Sequence, residues 1–170
     1  MKLGFVGTGN ISSDVITAIC KSKIPFKKIT ISPRNKNKAK ALKKKFRSKI
    51  VVAKNNQEVI NNSDWVFLGI LPEIGEKILK DLKFKSNQTV ISFISTIKYN
   101  KLKKIIHKKT TIIRAIPMPP ISLGKGPVAL YPSNKKVKNF FDNIGTSIEI
   151  KNEKLSNNFW AISGTMASFY

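Results

Sequence analysis

Short apolar runs alternate with amphipathic stretches along almost the whole chain. The apolar runs predict β-strands, and the stretches between them repeat their apolar residues every three or four positions, as one face of a helix does. Since strands and helices alternate, the pattern predicts an α/β fold that is doubly wound around a mainly parallel sheet. The predicted strands are residues 3–6, 28–32, 50–53, 65–70, 89–94, 111–116, 128–131 and 147–150.

The predicted helices occupy the intervals between these strands. A loop rich in proline and glycine, residues 117–127, breaks the alternation, and Ser163-Gly164-Thr165 is predicted to interrupt the last helix. The helices are expected at residues 11–20, 37–47, 56–62, 73–82, 98–107 and 135–144, with a last one starting over residues 153–160.

Two glycines directly follow the first predicted strand. Gly7 and Gly9 stand between that strand and a helix that begins at Ile11, which is the order of a G-x-G-x-x-G dinucleotide fingerprint. Gly7 permits a tight turn, and Gly9 lets the backbone approach a pyrophosphate that the helix N-terminus attracts. Ser12 takes the third glycine position, where a small side chain still allows close packing. The prediction is a dinucleotide site; the alternative is an ordinary glycine turn of an α/β protein.

The end of the second predicted strand indicates the type of dinucleotide. NAD-binding proteins usually carry an acid about 20 residues after the glycines, and this chain has none there. Ser32, Arg34 and Asn35 could instead hold a 2′-phosphate, with Lys36 and Lys38 adding positive charge. NADP(H) is therefore favoured over NAD(H); the alternative is that Arg34 simply points to solvent.

The chain is strongly basic, with 32 Lys and Arg against 9 Asp and Glu and a net charge of +23. Such a charge attracts nucleic acid and anionic membranes. The arginines that base readout favours are few, Arg34, Arg47 and Arg114, and the lysines suit solvated helix faces. We therefore predict no dedicated nucleic-acid partner and keep nucleic-acid association only as a third hypothesis.

Composition also indicates the cellular compartment and limits the kinds of catalytic chemistry that the chain offers. The longest apolar run, residues 65–72, is too short to span a bilayer, so no membrane association is predicted. A single cysteine, Cys20, is interpreted as a core residue in a cytoplasmic protein without a signal peptide. His107, the only histidine, is predicted to lie on the surface. No cluster of His, Cys, Asp and Glu indicates a metal, and no residue pair indicates general acid–base work.

Eight short motifs stand along the chain: GFVGTGN (4–10), SPRN (32–35), NQEV (56–59), SDWVFL (63–68), RAIPMPP (114–120), GKG (124–126), ALYP (129–132) and ISG (162–164). Together they resemble the pyrroline-5-carboxylate reductase family. The resemblance runs along essentially the whole chain, and its most specific part lies around the sixth predicted strand. A sibling class, the β-hydroxyacid dehydrogenases, shares the first motif.

This resemblance implies a Rossmann-type NAD(P)-binding domain over residues 1–152. Residues 153–170 would then begin a helical dimerisation domain, and with such a domain the protein would form a homodimer or a higher oligomer. The implied enzyme is an NADP-dependent oxidoreductase that acts on CH–NH bonds. It would transfer a hydride to the C=N bond of pyrroline-5-carboxylate, a small-molecule imine, and give proline in amino-acid biosynthesis.

The resemblance also implies roles for individual residues. Pyrophosphate would meet Gly7, Thr8, Gly9, Asn10 and Ile11. The 2′-phosphate would lie by Ser32 and Arg34, with Asn35 beside them, and the adenosine ribose would lie by Asn56. The nicotinamide would be lined by Ile70, Leu71, Pro72, Ser95 and Thr96. The substrate side would comprise Pro117, Met118, Ser163 and Gly164, with Thr165 as a stand-in proton donor.

The chain departs from the family pattern at three places. Leu71 stands where the family usually has lysine, Met118-Pro119 replaces Asn-Thr, and Met166 replaces a glycine. These departures favour a second hypothesis, a non-catalytic NADP-binding module that senses nucleotide or assembles with a partner.

Overall fold

The computed structural model describes residues 1–106 and 109–166. Within these residues the chain forms one eight-stranded sheet with helices on both faces. The strands are β1 (Lys2–Val6), β2 (Lys28–Ile31), β3 (Ile50–Val52), β4 (Trp65–Leu68), β5 (Thr89–Ser92), β6 (Thr111–Pro117), β7 (Pro127–Tyr131) and β8 (Thr146–Glu149). The α-helices are α1 (Asn10–Lys21), α2 (Lys36–Phe46), α3 (Asn56–Asn61), α4 (Pro72–Lys80), α5 (Tyr99–Ile105), α6 (Lys135–Phe141) and α7 (Ser156–Met166).

The strand order is β3-β2-β1-β4-β5-β6-β7-β8. Strands β1 to β6 are parallel, β7 runs antiparallel to β6, and β8 runs parallel to β7. The chain moves outward from β1 to β3 and then crosses back to place β4 on the other side of β1. This confirms the predicted doubly wound, mainly parallel Rossmann-type sheet, with its switch point between β1 and β4.

Two apolar cores cover the two faces of the sheet. On one face α1, α2 and α6 pack through residues such as Val15, Leu42 and Val137. On the other face α3, α4 and α5 pack through Val59, Leu79 and Leu102. A parallel sheet covered on both faces needs strands that are apolar throughout, which is what the sequence pattern of β4 and β5 predicts.

The edge strands β3 and β8 leave apolar side chains partly open to solvent. Val51 and Val52 in β3 are 37% and 40% exposed, and Ile148 in β8 is 39% exposed. Each edge is short, with three residues in β3 and four in β8. Lys49 and Lys54 flank β3 on either side.

The last helix differs from its prediction. Ser163-Gly164-Thr165 does not interrupt it, because α7 runs continuously from Ser156 to Met166. Ahead of α7 a 3-10 helix, Glu153–Leu155, replaces the predicted helix start. The Thr165 hydroxyl donates to the carbonyls of Ala161 and Ile162 in its own helix, so a polar residue that favours breaks is accommodated inside it.

Other differences are confined to the ends of elements and to two more 3-10 helices, Arg47–Lys49 and Pro119–Leu123. The prediction that Cys20 is a core residue is confirmed by its burial at 7% exposure. His107 lies outside the described residues, so its predicted surface position stays a prediction. Within residues 1–106 and 109–166, no helix is both long enough and apolar enough to cross a membrane.

Candidate functional site

A cleft of about 1110 Å³ opens at the switch point of the sheet. Its floor is formed by the glycine turn after β1 and by Gly69-Ile70 after β4, and its ends extend to the start of α2 and to α7. Ligands of open parallel sheets bind at this kind of crevice, outside the carboxyl ends of the strands. Most of the residues predicted to bind cofactor line it, namely Gly7, Thr8, Gly9, Asn10, Ile11, Ser32, Arg34, Asn35, Asn56, Ile70, Leu71, Pro72 and Ser95.

The floor of the cleft depends on a close approach between two glycines. Gly7 has a φ of +98°, and a Cβ there would overlap the carbonyl oxygen of Gly69. A Cβ on Gly69 would in turn overlap the Ser12 hydroxyl, which explains why Ser12 must remain small. The predicted tight packing of α1 against the strands is therefore confirmed, and Gly69 is a partner in it that sequence reasoning missed.

The buried hydroxyl of Ser12 is expected to lower the stability of the fold. Its side chain is fully buried, and its hydroxyl has no hydrogen-bond partner among the described residues. An unpaired buried hydroxyl destabilises a fold by about 1–3 kcal/mol, so we expect Ser12→Ala to raise the free energy of unfolding by about 1 kcal/mol. Urea denaturation measures this change, and a destabilised variant would show that the hydroxyl has a partner.

The centre of the cleft is suited to an anion. Gly9 caps α1 with no side-chain hydrogen bond, and nothing lies within 4 Å of the position that a Cβ on Gly9 would take. Thr8 lines the same space, and its buried hydroxyl has no partner in the described part of the chain. Free N–H groups at a helix start, an open backbone and an unpaired hydroxyl together fit a dinucleotide pyrophosphate.

At the end of the cleft assigned to adenosine, the three residues predicted to hold a 2′-phosphate differ in their contacts, which the sequence does not reveal. The Ser32 hydroxyl is buried and accepts the Gly7 N–H at 2.9 Å, so it braces the glycine turn. The Asn35 side-chain oxygen caps α2 by accepting the Lys38 N–H at 3.1 Å. Of the three residues predicted to hold a 2′-phosphate, Arg34 alone combines an exposed position with a positive charge, and Lys36 lies beside it.

The opposite end of the cleft is apolar. Ile70, Leu71, Phe93 and Trp160 line it, and Leu71 is 64% exposed at its mouth. Trp160 comes from α7 and packs against a small third core beneath that helix, formed by Ile116, Ala129 and Ile150. Sequence reasoning missed Phe93 and Trp160 because they reach the cleft only through the tertiary fold.

A buried arginine links this apolar end to the base of α7. Arg114 in β6 is 3% exposed, and its Nη2 donates to the Ser95 carbonyl at 2.8 Å. Its Nη1 donates to Glu153 at 2.6 Å and to the Ser156 hydroxyl at 3.3 Å. The same Glu153 oxygen accepts the Tyr99 N–H at 2.6 Å. One guanidinium therefore fixes the loop after β5 and the start of the C-terminal segment together.

Several predicted residues do not line the cleft. Thr96 is exposed in the loop after β5, whereas Pro117 and Met118 are buried where β6 ends. Ser163 and Gly164 lie within α7, and the Thr165 hydroxyl is occupied by its own helix. Among the residues whose side chains the structure describes, the cleft thus brings together most of the predicted cofactor residues but not Thr96, Pro117 or Met118. The predicted substrate-side roles stay predictions.

The described residues contain no group of three or more His, Cys, Asp or Glu side chains that could hold a metal ion. The described residues that line the cleft include no Asp or Glu. The site therefore offers neutral donors and cations to a ligand, which agrees with an anionic dinucleotide.

Known proteins resemble this chain in sequence and in fold. Over 133 residues it is 29% identical to pyrroline-5-carboxylate reductase 3 of Danio rerio, covering 76% of this chain and 45% of the relative. The crystal structure of 1-pyrroline-5-carboxylate reductase from Streptococcus pyogenes superposes with a TM-score of 0.83 at 25% identity, covering 99% of this chain and 65% of that one. The pyrroline carboxylate reductase of Plasmodium falciparum, solved with NADP bound, gives a TM-score of 0.82 at 23% identity, covering 99% and 64%.

The chain thus spans about half to two thirds of the length of these relatives. The sequence model of the family described as NADP oxidoreductase coenzyme F420-dependent matches residues 2–96, which is more than half of the chain. That stretch contains the glycine turn, the switch point and the loop after β5. The chain belongs to this family of NADP oxidoreductases and is similar, at low identity, to the pyrroline-5-carboxylate reductases.

Proposed function

We propose that this protein binds NADP(H) in the switch-point cleft and reduces a small imine. The proposal is carried by the centre of the cleft, where nothing fills the space beside Gly9 and the Thr8 hydroxyl has no partner among the described residues. Arg34 and Lys36 lie at one end, and the part of the lining that the structure describes has no carboxylate; both facts favour a 2′-phosphate over a free 2′-OH.

In this proposal the chain binds and orients, and the dinucleotide supplies the hydride when it is bound. The turn from Gly7 to Ile11 would hold the pyrophosphate, and Asn56 would lie by the adenosine ribose. Ile70, Phe93 and Trp160 would exclude water from the nicotinamide end. Arg114 would keep the Ser95 carbonyl in place there.

The proposed substrate is pyrroline-5-carboxylate, whose C=N carbon would accept the hydride to give proline. Support comes from the likeness to reductases of that name over nearly the whole chain. We further propose that residues 1–152 form the nucleotide domain and that residues 153–170 begin a second, helical unit. Leu155 and Ile162 in this segment are 46% and 51% exposed, which would suit packing against a further domain or a second copy.

The direct test is a fluorescence titration with NADPH and NADH, followed by addition of pyrroline-5-carboxylate. The proposal expects micromolar binding with NADPH preferred, and oxidation of NADPH when the imine is added. No binding of either nucleotide would refute the cofactor assignment.

Arg34 provides a sharper test of the preference for NADP(H). We expect Arg34→Gln to weaken NADPH binding about tenfold, because a charged hydrogen bond to phosphate is worth about 1.5–3 kcal/mol. NADH lacks the 2′-phosphate, so its dissociation constant should change less than about twofold. Equal losses for both nucleotides, measured by calorimetry, would contradict this role.

The second candidate function is a nucleotide-binding module without turnover. It is favoured by the exposed aliphatic Leu71 at the mouth of the cleft and by the burial of Met118 away from it. Tight NADPH binding with no oxidation in the presence of the imine would support this candidate over the reductase.

A further inference from the structure

We propose that the apolar end of the cleft also accepts small cyclic imines that lack a carboxylate, and that Leu71 is the residue that determines this tolerance. The inference rests on the proposed reductase function and concerns which imines such a reductase takes. It follows from the way charge and apolar surface are distributed along the cleft.

Positive charge is confined to one end of the cleft. Among the described lining residues the cations are Arg34, Lys36 and Lys38, and all three lie at the start of α2. The end toward α7 has no charged side chain in its described lining. Arg114 is joined to that end through the Ser95 carbonyl, but its guanidinium is 3% exposed and is already paired with Glu153. A substrate carboxylate therefore meets no available cation in the described part of this end.

Leu71 gives this end its exposed apolar surface. Its side chain is 64% exposed at the mouth of the cleft, directly before Pro72, the first residue of α4. Ile70 and Phe93 line the same end and are buried. A small ring that covers Leu71 removes apolar surface from water, and this favours binding whether or not the ring carries a charge.

The start of α4 adds a charge that opposes a carboxylate. Glu73 is exposed in the first turn of α4, two residues after Leu71. Its negative charge already complements the positive end of that helix and repels a second negative charge nearby. An uncharged imine does not experience this repulsion, so the described mouth of the cleft favours apolar rings over charged ones.

The matched probe is 1-pyrroline, which is the ring of pyrroline-5-carboxylate without its carboxylate. Its imine carbon takes the hydride of NADPH, and its nitrogen takes a proton from water. Pyrrolidine, NADP⁺ and hydroxide are the products. No further oxidant or reductant is needed.

The test compares the two imines in the wild type and in two variants that each add one lysine. Leu71→Lys places an ammonium at the mouth of the cleft. Leu123→Lys is the control, because Leu123 is 72% exposed and does not belong to the described lining of the cleft. Initial rates with NADPH give kcat/KM for each imine, and melting temperatures show that both variants are folded.

We expect the wild-type kcat/KM values for 1-pyrroline and pyrroline-5-carboxylate to agree within about threefold. Leu71→Lys should shift their ratio toward pyrroline-5-carboxylate by about fivefold, which is the effect of a partly exposed ion pair. Leu123→Lys should change the ratio by less than about twofold.

A second measurement needs no turnover. Cyclopentanecarboxamide and cyclopentanecarboxylate share a five-membered ring and differ in charge, and calorimetry gives their dissociation constants on the protein with NADP⁺. We expect the wild type to bind the carboxamide at least as tightly as the carboxylate, and Leu71→Lys to reverse this order.

Three results would overturn the inference while the proposed reductase stands. They are reduction of pyrroline-5-carboxylate with 1-pyrroline more than about a hundredfold slower, an equal shift of the ratio in both lysine variants, and tighter wild-type binding of the carboxylate. No oxidation of NADPH with either imine would refute the proposed reductase itself, and the inference with it.

Discussion

Gly9→Val is expected to lower the affinity for NADPH by at least about a hundredfold, or about 2.7 kcal/mol, without changing the melting temperature. Gly9 has φ −74° and ψ −172°, an extended conformation that valine adopts, and no atom lies within 4 Å of its Cβ position. The added side chain therefore meets no protein atom and occupies the space assigned to the pyrophosphate. Calorimetric titration and thermal unfolding of the same sample measure both effects.

Gly7→Ala is the control for Gly9→Val, because it alters the same turn at a position where a Cβ does not fit. Its φ of +98° and the overlap with the Gly69 carbonyl strain any side chain there, at a cost of about 1–3 kcal/mol. We expect this variant to lose stability as well as binding. Full NADPH affinity in Gly9→Val would show that the dinucleotide does not pass over the turn.

Arg114→Met is expected to lower the free energy of unfolding by about 3 kcal/mol. The substitution removes one partner of a buried ion pair, and with it the guanidinium donor to Glu153, to the Ser95 carbonyl and to the Ser156 hydroxyl. Glu153 then keeps the Tyr99 N–H as a donor but has lost its counterion. Glu153 is 20% exposed, so water compensates part of the loss. Urea denaturation gives the magnitude, with constant m-values showing that the unfolding reaction is unchanged.

An exposed ion pair serves as the control for this prediction. Lys138 Nζ on α6 lies 2.6 Å from Oδ2 of Asp142, the residue that follows this helix, and their side chains are 39% and 36% exposed. Lys138→Met should therefore cost less than about 1 kcal/mol. If Arg114→Met proves no more destabilising than Lys138→Met, the Arg114 network does not stabilise the junction between the sheet and α7. The double variant Arg114→Met, Glu153→Leu should recover part of the loss, because it removes the unpaired carboxylate.

The sequence predicted the nucleotide end of the cleft because its signals are local. Gly7 and Gly9 follow a strand and precede a helix within a dozen residues. A glycine is needed at the first position for the tight turn and at the second for the approach of a pyrophosphate. The same reasoning correctly predicted the element order and the parallel sheet from hydrophobic periodicity. Sequence reasoning could not predict that the Ser32 hydroxyl accepts the Gly7 N–H, since that contact depends on how β1 and β2 lie side by side.

The apolar end of the cleft escaped prediction because distant segments build it. Trp160 reaches the cleft from a helix about 150 residues after the glycine turn, and nothing in its neighbourhood marks it as a lining residue. Arg114 did carry a signal, since an arginine inside an apolar strand must find buried partners. The predicted break at Ser163-Gly164-Thr165 was wrong because local propensity was outweighed within α7, where the Thr165 hydroxyl bonds back to its own turn.

The edge strand β3 gives the lysine-rich surface a role apart from ligand binding. An edge with half-open valines is a template for pairing with another chain, and short length and neighbouring charge are the usual defences. Lys49 and Lys54 stand at either end of β3, and the net charge of +23 adds repulsion between whole molecules. Salt weakens that repulsion, since exposed charges more than about 10 Å apart are largely screened at 0.1 M ionic strength. We therefore expect this protein to aggregate more readily as ionic strength rises.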